Sequence, residues 1–114
     1  MPIHILRSAA TPGQLDDMQQ ALRSYIKLAV DIRKEIVAGG GEMHADCEAV
    51  LLADGSAQED IWGADWDPVA EEVGFVSLIN IRPSRGNRSM QIEEPEIRSQ
   101  VERVVRRFLG EVKR

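Results

Sequence analysis

Three polar stretches of the chain hold the residue types that do chemistry. The first is His44-Ala45-Asp46-Cys47-Glu48, an imidazole, a thiol and two carboxylates within five residues. That is the vocabulary of a metal site or of a cysteine nucleophile beside a base. Either use needs partners from elsewhere, and His4 is the only other histidine, so a zinc site would lean on carboxylates and no metal is expected. The plainer alternative makes Cys47 a small buried hydrophobe, with His44 and Asp46 shaping a turn. The second stretch sets Trp62 and Trp66 among Asp60, Asp65 and Asp67. Two indoles beside carboxylates can wall a planar or cationic ligand. Equally, tryptophans fill cores, and strand alternation would put Asp60, Trp62 and Ala64 on one face. The third runs from Asn80 to Ser89 and gathers Arg82, Arg85 and Arg88 with Asn80 and Asn87 around a Pro and a Gly. Guanidinium groups bind phosphate or carboxylate bidentately. The alternative is a solvated turn whose arginines pair with acids of the same fold.

The candidate catalytic residues are therefore His44, Cys47 and Asp60. The candidate binding residues are Glu48, Trp62, Asp65, Trp66, Asn80, Arg82, Arg85, Asn87 and Arg88. No motif completes a catalytic set. Ala38-Gly39-Gly40-Gly41-Glu42 lacks the Lys-Ser/Thr of a phosphate loop, and the chain has no GxSxG, HExxH or CxxC. No cofactor is expected.

Charge is divided unevenly. Eleven carboxylates and no Lys or Arg lie between Glu35 and Ile81, while the flanks carry eight carboxylates and fourteen Lys or Arg, so −11 faces +6. The split can be met within the fold, between subunits, or at a site with an anionic and a cationic side. With a pI near 5.0 and no aromatic residues interleaved with the basic helix face, direct nucleic-acid binding is not expected. One cysteine excludes an internal disulfide, no segment has a signal-peptide or membrane-spanning pattern, and the location expected is cytoplasmic.

The elements that must position these stretches follow from periodicity. Ile3 to Leu6 reads as an opening strand. Thr11-Pro12-Gly13-Gln14 fits a capping box, followed by Leu15, Met18, Leu22 and Tyr25 at helical spacing. Ile26, Leu28, Val30 and Ile32 alternate with polar or small residues as a strand does. The three glycines 39–41 predict a bend. Cys47 to Ala53 reads as a strand, closed by the hairpin signal Asp54-Gly55-Ser56, with Gln58 to Trp66 as its partner. Val73 to Arg82 reads as a central strand covered on both sides, and Ser89 to Ile92 as a short edge strand. Pro95 opens a last helix with a stripe of Ile97, Val101, Val104, Val105 and Phe108, stopped at Gly110. The fold expected is a single α+β domain over residues 1–114, an antiparallel meander of four to five strands with the N-terminal and C-terminal helices packed on one face.

The stretches 25–31, 39–48, 60–66 and 80–83 resemble a bacterial family of small proteins labelled only as a domain of unknown function, over about Ile3 to Leu109. The resemblance implies a compact, stand-alone bacterial protein and lends no reaction, ligand or residue role. The function expected is a binding or interaction module that self-associates as a homodimer, with a polar and anion-accepting surface built from segments 44–48, 60–67 and 80–89, for a small anionic ligand or a protein partner. The alternative is a small hydrolase-like enzyme using the same surface.

Overall fold

The computed structural model describes residues 3–112. A five-stranded sheet is built from β1 (His4–Leu6), β2 (Ile26–Asp31), β3 (Ile36–Gly41), β4 (Ile61–Asp67) and β5 (Glu72–Gly74), in the order β1-β3-β2-β4-β5. Every neighbouring pair is antiparallel. The class is α+β as expected, but the order is not a strict meander. β3 and β4 both flank β2, because a helix carries the chain from one to the other.

That helix, α2 (His44–Ala53), replaces the strand expected at Cys47 to Ala53. Six of its ten residues (three Ala, two Leu and Glu48) are strong helix formers, and Cys47, Val50 and Leu51 fall at i, i+3 and i+4, a spacing that only a helix turns to one side. Asp54-Gly55 is accordingly a helix stop rather than a hairpin. Gly55 takes φ +106°, its N–H donates to Leu52 O and that of Ser56 to Leu51 O, the paired bonds of a Schellman end.

The two expected terminal helices, α1 (Pro12–Gln19) and α3 (Pro95–Leu109), share one face of the sheet. Leu15 and Met18 of α1 and Ile97, Val101, Val104, Val105 and Phe108 of α3 join Ile26, Leu28, Val30, Trp62 and Trp66 in the main core. The Thr11 capping box is present, but α1 stops at Gln19 and Arg23 adopts φ 65°, so Leu22 and Tyr25 lie beyond the helix. On the opposite face α2 packs Cys47 and Leu51 against Ala29, Ile36, Ala38 and Ile61 in a second core.

The glycines expected to bend belong to β3. Lys27 pairs with Gly41 and Leu28 with Gly39, which leaves Gly40, at φ +105°, as a bulge that reverses the facing of its neighbours. A Cβ on Gly39 would lie 2.7 Å from Leu28 Cδ2 and 3.1 Å from Met18 Sδ, and one on Gly41 3.1 Å from Cys47 Sγ. The glycines thus let helices approach both faces of one strand.

The expected central strand 73–82 is the largest departure. β5 has three residues and lies at the sheet edge; beyond it the chain runs as a strap with single 3₁₀ turns at Leu78–Asn80 and Pro83–Arg85. Ser89 to Ile92 forms no strand, only a bridge between Val76 and Gln91. The reason lies in Asn80, whose side chain occupies the hydrogen-bonding positions that a continuing strand would use.

Candidate functional site

The strap is fastened to β4 by polar side chains. Asn80 is fully buried; its Oδ1 accepts the Gly63 N–H at 2.8 Å, while its Nδ2 donates to Gly63 O, Phe75 O and Met90 O. Buried Asn87 repeats the device one turn on, donating to the carbonyls of Asn80, Ser89 and Gln91 and accepting the Glu93 N–H. Arg82 completes the fastening. Its guanidinium donates to the carbonyls of Ile79, Gln58 and Ile61 and lies 4.6 Å from the centroid of the Trp62 ring. Burial lowers the Arg82 pKa from its ordinary value, with Arg85 adding to the effect and the Glu48 carboxylate opposing it.

Between this strap and α2 lie two hollows that share Leu78 and Ile79. One, of about 620 Å³, is lined by Glu48, Gln58, Glu59, Ile81, Arg82 and Arg85 among others. The second, of about 330 Å³, includes Met43, His44, Asp65, Val76 and Met90. His44 and Glu48 stand one helical turn apart on α2, so one face of that helix serves both hollows.

In the first hollow Glu48 is left half-answered. Its Oε2 is 3.8 Å from Arg82 Nη2, near enough for charge compensation and too far for a hydrogen bond, and the atom is buried without any hydrogen-bond partner. Such an orphan acceptor is uncommon in a folded protein and marks a place where a donor is wanted. In the second hollow His44 Nε2 lies 2.9 Å from Asp65 Oδ1 and 3.1 Å from Ala64 O. Both partners are acceptors, so Nε2 carries the proton, and Nδ1 makes no hydrogen bond among the described residues.

The sequence-selected residues thus divide. Glu48, Arg82 and Arg85 line the first hollow, and His44 with Asp65 the second. Cys47 does not join them. It is fully buried in the α2 core, its thiol donates to Lys27 O, and burial pushes its pKa up to about 11, so it holds no reactive thiolate near neutral pH. Asp60 ends a 3₁₀ turn before β4 and lines neither hollow. Trp62 and Trp66 are core residues of the α1/α3 face, with indole N–H groups that find no acceptor; only the face of Trp62 reaches the site, beneath Arg82 and, at 5.7 Å, Arg85. Asn80 and Asn87 hold backbone rather than face solvent. Arg88 contributes its backbone N–H to Glu93, outside both hollows. Among the described residues no group of His, Cys, Asp and Glu is arranged to hold a metal ion.

Gln58, Glu59, Leu78, Ile81 and Met43 escaped selection. Leu78 and Ile81 carried a signal that pointed elsewhere, since as apolar residues in an alternating run they read as strand interior.

A model of a protein family of unknown function, DUF5674, matches residues 4–108. The chain belongs to that family. No curated protein and no solved structure matches it. For this DUF5674 chain, the cleft between α2 and the strap is therefore read from its own geometry. No helix among the described residues is long and apolar enough to cross a membrane.

Proposed function

We propose that this protein is a non-enzymatic binding module whose ligand occupies the cleft between α2 and the 77–85 strap. One observation supports the reading: Glu48 lines an open hollow while one oxygen of its carboxylate, Oε2, is buried without a hydrogen-bond partner. A fold retains such an acceptor at a cost of about 1–3 kcal/mol, and a turn of the Glu48 side chain that brings its carboxylate to a ligand's donor regains that energy. The same feature decides the polarity of the ligand. The arginine-rich strap suggested an anion, but three backbone carbonyls take three of the five N–H groups of the largely buried Arg82, leaving Arg85 as the exposed cation of the hollow beside Glu48 and Glu59. The complementary ligand group is a donor, cationic or amide-like.

The homodimer expectation rested on the divided charge. Three of the eleven carboxylates of the acidic segment meet arginines of the flanks within one chain: Glu35 pairs with Arg103 and Arg107, Asp54 with Arg7 and Glu48 with Arg82. Self-association therefore enters as a competing use of the same cleft.

Amide-resolved NMR titration is the test. Butylguanidinium is expected to shift residues 48, 58–59 and 78–85, and to do so more than acetate or inorganic phosphate. Shifts confined to Arg85 and produced only by the anions would overturn the reading.

A second reading, a small enzyme of bacterial cytoplasm, is favoured by His44 alone. With Nε2 held by Asp65 and Nδ1 free of protein partners, the ring has the arrangement of an oriented general base. The one thiol is buried away from it, so such an enzyme would have to activate water. Loss of a hydrolytic activity in His44→Gln, retained in Cys47→Ala, would establish it.

A further inference from the structure

The first hollow holds charges of both signs and does not pair them all. Its carboxylates come from α2 (Glu48) and from the 3₁₀ turn before β4 (Glu59), and its exposed cation, Arg85, from the strap. Glu48 compensates Arg82. Among the described residues neither Glu59 nor Arg85 forms an ion pair.

Arg82 holds the two walls in place. Its Nη1 donates at 3.0 Å to the carbonyl of Gln58, the residue before Glu59. Its backbone N–H and C=O exchange hydrogen bonds with those of Asn87, which closes the loop that carries Arg85, and the Arg85 N–H donates to the Arg82 carbonyl within that loop. The guanidinium of Arg85 then lies 5.7 Å from the centroid of the Trp62 ring, beside that of Arg82 at 4.6 Å. One largely buried side chain thus ties the backbone of the anionic wall to that of the cationic wall. Walls positioned in advance spare a ligand the entropy of ordering them.

We infer that the ligand of this hollow is a small zwitterion of the amino acid type, its ammonium group received by Glu59 and Glu48 and its carboxylate by Arg85. A volume of about 620 Å³ is that of a small-molecule site. A simple cation would meet Arg85 and a simple anion would meet Glu48 and Glu59, each with repulsion on one side. An uncharged ligand would strip water from charges of both signs and return nothing for it. The inference rests on the cleft reading above: the hydrogen-bond donor of that reading becomes the ammonium group, and a carboxylate is added at the other end.

Amide-resolved NMR titrations with leucine and ε-aminocaproate, run beside butylguanidinium and caproate, provide the test. At least one of the two amino-carboxylates is expected to bind about tenfold more tightly than either singly charged probe. The better of the two gives the separation of the charges: leucine points to a free α-amino acid, ε-aminocaproate to a longer amino-carboxylate. Arg85→Gln should bring the preferred zwitterion down to the level of butylguanidinium, and Glu59→Gln should weaken the zwitterion and butylguanidinium alike. Both side chains are exposed, so neither variant threatens the fold. Amino-carboxylates that bind no better than butylguanidinium, or that keep their advantage in Arg85→Gln, overturn the inference while the cleft reading stands. Caproate binding as tightly as ε-aminocaproate would make the hollow an anion site and overturn both. Silence from all four probes also sinks both.

Discussion

The side-chain amide of Asn80 pairs with both the N–H and the C=O of Gly63, as a backbone peptide group would in a sheet ladder. One residue thus ends the sheet at β4 and starts the strap that walls the cleft. Asn80→Ala would strand the Gly63 N–H and C=O and take one of two donors from the Phe75 and Met90 carbonyls, and should cost roughly 3 kcal/mol in urea denaturation. Asn80→Asp should cost at least as much, because a carboxylate would face the oxygens that the amide now donates to. A loss below roughly 0.5 kcal/mol would mean the pairing is incidental.

Gly63 is the complementary half of that joint. A Cβ there would lie 2.5 Å from Ser77 Cβ. Gly63→Ala should destabilise by about 1–3 kcal/mol through overpacking. The double variant Gly63→Ala with Ser77→Gly should recover part of the loss, and thermal melts of the pair decide whether the clash is the cause.

Arg82 and Glu48 should respond asymmetrically. Arg82→Ala removes three hydrogen bonds to backbone carbonyls and leaves a buried carboxylate without its cation, a loss of about 3–5 kcal/mol. Glu48→Gln keeps an acceptor oxygen and loses no hydrogen bond at Oε2, but it removes the charge beside Arg82, whose guanidinium stays held by three carbonyls, so it should cost less, on the order of 1 kcal/mol. Equal losses in the two variants would assign Glu48 to the scaffold and withdraw it from binding.

Cys47 should resist modification in the native protein. Its pKa is raised from 9.0 to about 11, chiefly by burial, so the folded state holds the thiol proton longer than the unfolded chain does. The stabilisation is complete below pH 9 and is lost as pH rises through 11, because there the unfolded state gains by releasing the proton. Thiol titration at pH 8 should give little reaction without denaturant and one equivalent in urea. Rapid native labelling would contradict the burial.

Glu93 offers a readout of the loop that follows the strap. Its carboxylate accepts from the Ser89 hydroxyl and from the backbone N–H groups of Ser89 and Arg88, and these bonds lower its pKa below the ordinary 4.5. A depressed carboxylate pKa contributes stability above its unfolded value and loses it as pH falls through the folded one. NMR titration should place Glu93 below an ordinary glutamate, and Ser89→Ala should move it upward. An unchanged titration in that variant would show that the hydroxyl is not the main cause.

Read locally, the chain determined what local physics determines. The Thr11 capping box, the alternation of β2 and the apolar stripe of α3 each satisfy a rule that depends only on near neighbours. The same local rules failed at residues 47–53 and 73–82, where short apolar runs fit a helix or a strand and the deciding partner lies far along the chain. What made α2 a helix was the vacant face of β2 and β3 on which Cys47 and Leu51 are buried. What ended β5 was Asn80 reaching across to Gly63, and no periodicity foretells a side chain that stands in for backbone. The cleft exists only because of those two long-range events. Residue types could nominate His44, Glu48 and Arg82; only the tertiary packing could leave Glu48 short of a hydrogen bond and turn Leu78 to the solvent.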